Sequence, residues 1–167
     1  IITTGGGGMV LCKDPQLGAH TKHVTTTAKV PHPYEFFHDE PGFNYRLPNL
    51  NAALGCAQME SLNGFLEQKR NIATQYQNFF AGSDYSFVVE PSYAKSNYWL
   101  NAIICPDTTS RDQLLKSSNA AGVMTRPIWK LMHRLPMFQQ APRDQLTTSE
   151  WIEGHLVNLP SSPIEMA

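Results

Sequence analysis

The sequence predicts an α/β protein organised on one long helix. Three observations lead there. An apolar stripe at helical spacing runs from Leu50 to Phe80, short continuous apolar runs end at turn residues, and helix-start signals lie between those runs.

Four consecutive glycines, Gly5 to Gly8, precede Met9-Val10-Leu11-Cys12, and Lys13-Asp14-Pro15 closes that run. This predicts a buried strand entered through a flexible glycine turn. Asp14 or Pro15 then starts a helix from Gln16 to about Val24. Its Leu17, Ala19, His20, His23 and Val24 give a fair amphipathic pattern. Residues 25–43 form a long loop carrying Pro31, Pro33, Pro41 and the aromatics Tyr34, Phe36 and Phe37. Loops of that length in compact domains are usually functional or held by a partner.

Pro48 suits a first helical turn, where its missing N–H is no loss. The stripe Leu50, Leu54, Ala57, Phe65, Ile72, Tyr76 and Phe79 then predicts a core-bound helix to about Phe80, stopped by Gly82. Gly64 is its candidate kink. Residues 83–97 read as a connector and Tyr98–Cys105 as a strand. Ser110-Arg111-Asp112-Gln113 has the spacing of a capping box ahead of Leu114-Leu115, in a helix that Gly122 ends. Val123–Ile128 reads as a second strand. Thr147-Thr148-Ser149-Glu150 is another box, opening a helix with Trp151, Ile152 and Leu156. Strand, helix, strand, helix describes a small α/β lobe after residue 83.

With 41% hydrophobic and 16% charged residues, the 167-residue chain can build a core. Thirteen Lys and Arg against fourteen Asp and Glu leave a net charge of −1, so no basic excess points to nucleic acid. No apolar run reaches membrane length. Ile1 to Gly5 lacks the charged and apolar regions of a secretory signal. The three cysteines, Cys12, Cys56 and Cys105, are far apart and fit neither a disulfide framework nor a paired metal motif. Each lies among apolar residues, which predicts buried thiols in a reduced, cytoplasmic protein. The start, one step from a glycine turn, reads as the middle of a domain, hence a C-terminal fragment of something longer.

Gly42-Phe43-Asn44-Tyr45-Arg46 sets an amide and a guanidinium two residues apart before a helix N-terminus. That donor pair suits an anionic oxygen cluster. The alternative is an ordinary loop, with Asn44 satisfying turn backbone and Arg46 in a surface ion pair. The glycine run is neither a Walker loop nor a dinucleotide fingerprint, since no Lys-Ser or Lys-Thr follows and it leads into an apolar run. His20, His23, His32 and His38 match no recognised ligand spacing and read as scattered, so no metal site is expected.

Residues 42–60, G-F-N-Y-R-L-P-N-L-N-A-A-L-G-C-A-Q-M-E, closely resemble the hallmark of the pyridoxal-phosphate sugar aminotransferases known as the DegT/DnrJ/EryC1/StrS family. Ile2 to Gly8 resembles the family's segment downstream of its Schiff-base lysine, with Gly6 where Glu is usual. That lysine would fall just before Ile1. Arg126 to His133 resembles the family's T-R-x-x-x-x-P-L-H stretch, with Met132 departing from it.

The resemblance implies the C-terminal part of a type I, aspartate aminotransferase-like fold. Residues 1–47 would end the large cofactor domain, 48–82 the connecting helix, and 83–167 the small C-terminal α/β domain. The implied reaction moves an amino group from glutamate to a nucleotide-linked keto-sugar for surface glycan synthesis. The spelling around Asn44 looks nearest to the branch making 4-amino-sugars of the legionaminic type. The implied cofactor is pyridoxal 5′-phosphate. Its phosphate would be contacted by Asn44, in the neighbouring subunit's active site, which implies a homodimer with shared sites. Arg46 would share that contact or brace the loop. Arg126, Lys130 and His133 would meet the substrate's diphosphate and Trp129 would stack on its base or sugar; alternatively they form a cationic strand end. Lys13, Lys22, Lys29, Lys69, Lys95, Lys116 and Lys130 match no catalytic motif, so residues 1–167 alone are expected to be inactive, with an exposed apolar face that favours self-association. A dehydratase of the same family, with His replacing the lysine, and a non-catalytic regulatory or oligomerisation module are the rival readings.

Overall fold

In the computed structural model, which describes residues 1–163, Asp14 caps the first helix, α1 (Pro15–Thr25). Its carboxylate accepts from the Gln16 amide at 2.8 Å, and Pro15 occupies the first turn. The chain divides into two compact units, Ile2–Leu62 and Asn63 onward.

In the first unit α1 ends in a turn through Thr27 and Ala28, whose φ angles are 77° and 50°. Two successive non-glycine residues in the left-handed region are unusual and strained. They persist because their surroundings over-determine them: Ala28 is fully buried, and its amide donates to the His23 carbonyl at 2.8 Å. Gly42 lies against this turn so closely that a Cβ there would stand 2.4 Å from the Thr27 carbonyl carbon. Only glycine fits. Between them, the expected irregular loop contains a small antiparallel ribbon, β1 (Lys29–Val30) with β2 (Phe37–His38). Residues 31–36, which include Pro31 and Pro33, connect the two strands.

The run Met9-Val10-Leu11 does not form the predicted buried strand. These side chains are 84%, 68% and 87% exposed, and among the described residues no strand pairs with them. A strand without neighbours has no ladder to satisfy its backbone.

Helix α2 (Asn49–Phe80) forms as its periodicity predicts, without interruption at Gly64. Its stripe is buried only in part. Leu50 is 85% exposed and Phe79 78%, whereas Lys69 and Ala73 are buried and Tyr76 and Phe80 pack on the core of the second unit.

That core is an antiparallel sheet of order β3-β4-β6-β5. The strands are β3 (Ser86–Phe87), β4 (Asn101–Ile104), β5 (Arg126–Pro127) and β6 (Leu156–Leu159). Alternation places Ile103, Val157 and Leu159 inward, with Cys105, and Leu114, Leu115 and Phe87 close over them. Two of these strands were not expected. β3 lies in the predicted connector, and Leu156 belongs to the central strand β6 rather than to a helix. The predicted strand Val123–Ile128 shrinks to β5, two residues long.

Helix α3 (Thr108–Ala120) begins before the expected box, because Asp107 accepts from the Ser110 amide at 2.7 Å. That amide hydrogen bond, first among the causes, keeps the Asp107 carboxyl below its ordinary pKa. Helix α4 (Thr147–His155) has no side-chain N-cap bond. Glu150, which the box would turn back to the cap, instead faces His133 and Arg134. Of the cysteines, expected to be buried, Cys105 is buried, but Cys12 is half-buried and Cys56 exposed.

Several polar groups inside the second unit are paired, although Asn101 Oδ1 and His133 Nδ1 are buried without a hydrogen-bond partner. The Lys69 ammonium donates to the carbonyls of Ser161 at 2.8 Å and Trp99 at 3.3 Å, and burial lowers its pKa. The Ser161 hydroxyl accepts from the Asn101 amide nitrogen at 2.8 Å and donates to the Leu159 carbonyl at 2.8 Å. Arg70 forks onto Glu90, at 2.6 Å and 3.1 Å.

Candidate functional site

The Gly42–Arg46 loop is laid along the end of α1 by backbone bonds. The Phe43 amide donates to the Val24 carbonyl at 2.7 Å, the Thr27 amide to the Phe43 carbonyl at 2.9 Å, and the Tyr45 amide to the Thr25 carbonyl at 2.9 Å. Thr26 and Asn44 form an antiparallel bridge. Arg46 then reaches back, its Nη2 donating to the Thr26 carbonyl at 2.9 Å and its Nη1 to Asn44 Oδ1 at 3.2 Å. Phe43 and Tyr45 stack with ring centroids 5.3 Å apart. Both Asn44 and Arg46 are exposed. Arg46 thus braces the loop through a carbonyl and an amide. Among the described residues it has no carboxylate at ion-pair distance, so the surface ion pair weighed as an alternative does not form.

The loop and the glycine turn, far apart in sequence, line one cavity of about 1020 Å³. Gly6, Gly7 and Gly8 form part of its wall, and Tyr45, Arg46 and Asn51 another part. Gly5 and Gly7 adopt φ angles of 73° and 115°, which glycine alone takes freely. The Asn51 amide donates to the Thr4 carbonyl and so ties the turn to the start of α2. Met9, Val10 and Leu47 form apolar parts of its wall, and Lys22 and Arg46 bring two cationic side chains to it.

A clamp borders this loop. The His23 Nε2 stands 2.6 Å from Asp39 Oδ1, and that hydrogen bond is the first cause of a lowered Asp39 pKa. His38 Nδ1 contacts the Thr27 carbonyl at 2.7 Å.

The four remaining predicted residues belong to the second unit. Arg126 lies in β5 opposite Asn158 and is exposed, as is Trp129 at 66%. Lys130 Nζ is 3.9 Å from Glu153 Oε1, and His133 Nε2 is 3.3 Å from Glu150 Oε1. Sequence reasoning missed the residue that organises this segment. Arg134 reaches Glu153 Oε2 at 2.5 Å and Glu150 Oε1 at 3.6 Å. Glu153 is 5% exposed and also accepts from the Leu131 amide at 3.2 Å. Two carboxylates one helical turn apart on α4 therefore fix residues 130–134. A Glu-x-x-Glu pair facing a Lys-x-x-His-Arg run was the available signal, but nothing local says that the two segments meet. His133 keeps Nδ1 buried without a hydrogen-bond partner and borders a cavity of about 320 Å³ with Phe138, Arg143 and Leu146.

A family model described as the DegT/DnrJ/EryC1/StrS aminotransferase family matches residues 1–166. GDP-perosamine synthase of Escherichia coli O157:H7 is 31% identical over 162 residues, 97% of this chain and 44% of that protein. The aminotransferase TlmJ from Streptoalloteichus hindustanus superposes with a TM-score of 0.84 at 21% identity, over 96% of this chain and 43% of that one. Spr1654 from Streptococcus pneumoniae, in its PLP form, gives 0.74 at 14% identity, over 96% and 42%. The chain spans less than half the length of the curated relatives it matches.

Proposed function

Because this chain belongs to the DegT/DnrJ/EryC1/StrS aminotransferase family, we propose that the protein carrying it transfers an amino group from glutamate to a nucleotide-linked keto-sugar, for surface glycan synthesis. The cofactor of the family is pyridoxal 5′-phosphate, which supplies the electron sink for moving an amino group.

One observation carries the reading: in the exposed Gly42–Arg46 loop the Arg46 guanidinium holds Asn44 Oδ1. The donor set fits the group. Asn44 Oδ1 is committed to Arg46, which turns the amide's own protons into the donors that remain for a phosphate oxygen. Arg46 adds positive charge that favours the same anion. In this proposal the phosphate belongs to the site of a second subunit, so the working form is a homodimer. Arg126, Lys130 and His133 would receive the sugar nucleotide's diphosphate, and Trp129 would stack on its base or sugar. The proton-moving lysine would precede Ile1, and residues 1–167 by themselves would not turn over. A cytoplasmic location follows from the same reading; no helix of the described residues is long and apolar enough to cross a membrane.

The test is to incubate the full-length protein with candidate keto-sugar nucleotides and glutamate and to identify the products. Amino-sugar and 2-oxoglutarate in equal amounts are expected. A deoxygenated sugar formed without glutamate consumption would instead assign the dehydratase reading. No change in any sugar, with no bleaching of cofactor absorbance by glutamate, would assign the non-catalytic one.

A further inference from the structure

Two histidines of α1 and two carboxylates of the segment before Gly42 converge outside the glycine-lined cavity. His20 and His23 are three residues apart, hence on one face of the helix. His23 Nε2 lies 2.6 Å from Asp39 Oδ1 and 3.7 Å from Glu40 Oε1. His20 Nδ1 lies 3.3 Å from the same Glu40 oxygen. One ligand atom each from His23, Asp39 and Glu40 falls within 4.8 Å of the other two.

The 3.3 Å and 3.7 Å separations approach those of ligands around one ion, whereas the 2.6 Å contact is a hydrogen bond that an ion would open. Metal–ligand bonds of about 2.1 Å place neighbouring donors about 3.0 Å apart at right angles and about 3.4 Å apart at a tetrahedral angle. The hydrogen bond between His23 and Asp39 accounts for one contact of the cluster. It does not account for Glu40, whose partners among the described residues are the two imidazoles. The backbone already holds both sides together. The Ala28 amide donates to the His23 carbonyl at 2.8 Å and the Asp39 amide to the Ala28 carbonyl at 3.4 Å.

The geometry points to a divalent transition-metal site formed by His23, Asp39 and Glu40, with His20 as a fourth donor. One imidazole nitrogen or two, with two carboxylate oxygens, suit Zn²⁺ or Co²⁺ better than Mg²⁺ or Ca²⁺, which take oxygen sets. On binding, the proton shared between His23 and Asp39 goes to solvent and the ion takes its place. The ion would then cross-link α1 to the segment four residues ahead of Asn44.

The experiment uses the protein stripped of metal by a chelator, then titrated with Zn²⁺ by equilibrium dialysis and with Co²⁺ by visible absorbance. One saturable equivalent and cobalt ligand-field bands are expected. His23→Ala and Glu40→Gln each weaken binding at least about tenfold. His32→Ala removes an imidazole paired elsewhere, with Glu35, and leaves the affinity unchanged. Should His23→Ala fail to fold by circular dichroism, Glu40→Gln and the exposed His20→Asn carry the test. Absence of saturable binding at one equivalent, or equal losses for His32→Ala and Glu40→Gln, overturns the site. No readout involves turnover, so the result is independent of the aminotransferase proposal.

Discussion

Arg46 Nη1 donates to Asn44 Oδ1 at 3.2 Å, so the guanidinium settles which end of the amide is left to donate. An Asn side chain offers an acceptor and two donors, and a phosphate can use only the donors. Asn44→Ala in the full-length protein is therefore expected to weaken pyridoxal phosphate binding about ten- to hundredfold, the range for a hydrogen bond to a charged group. Arg46→Lys keeps the charge and loses the fork, so a smaller loss is expected. Equilibrium dialysis of the cofactor checks both; unchanged affinity in Asn44→Ala would remove the amide from the proposed site.

Gly42 meets the left-handed turn at Thr27 and Ala28. A methyl group there would stand 2.4 Å from the Thr27 carbonyl carbon and 2.6 Å from the Ala28 nitrogen, both backbone atoms that cannot rotate away. Gly42→Ala should destabilise the first unit by about 1–3 kcal/mol, the cost of overpacking. Denaturant unfolding followed by circular dichroism measures it.

Ser161 serves two donors and one acceptor at once. Its hydroxyl accepts from the Asn101 amide at 2.8 Å and from Asn101 Nδ2 at 3.2 Å, and it donates to the Leu159 carbonyl. Asn101 is 1% exposed, so water does not replace the lost partner. Ser161→Ala is expected to cost about 1–3 kcal/mol, as for a buried group left unsatisfied. A loss below that range in urea unfolding would mean that the strand ends relax.

Glu90 carries a pH signature. The Arg70 hydrogen bonds, and after them the Ser96 amide, hold its carboxyl below the ordinary glutamate value. The folded state thus binds this proton less readily than the unfolded chain, and the pair stabilises folding at neutral pH. That contribution begins to fade as pH falls through about 4.3, the unperturbed glutamate value, and continues to fade below it. The gap in unfolding midpoint between wild type and Glu90→Gln should accordingly be widest near pH 7 and shrink on acidification. A gap that stays constant to low pH would rule out the charge as its source.

Much of this was legible in the residues. The period of α2, the proline at its start and the glycine after its end located a 32-residue helix to within one residue at its start. The G-F-N-Y-R spelling identified the family and the two side chains that the structure ties together. What stayed hidden depends on distance along the chain. Met9 to Cys12 has the composition of a buried strand, but burial needs neighbours, which composition cannot count. Leu156 to Leu159 continues an amphipathic helix pattern, and only pairing with both β4 and β5 makes it a strand. Glu150 resembled half of a capping box because nothing nearby reveals that His133 and Arg134 compete for it. The four histidines looked unrelated because Asp39 and Glu40, which gather His20 and His23, lie across a strained turn whose shape no propensity forecasts.

His155 is the last residue of α4 and Leu156 the first of β6, with nothing between them. The helix therefore sets the phase of the strand at the centre of the sheet. Adding or deleting a single residue at that seam would turn Val157 and Leu159 toward solvent and bring their polar neighbour Asn158 inside. Homologous chains should therefore vary in the spelling of this junction while keeping its residue count fixed.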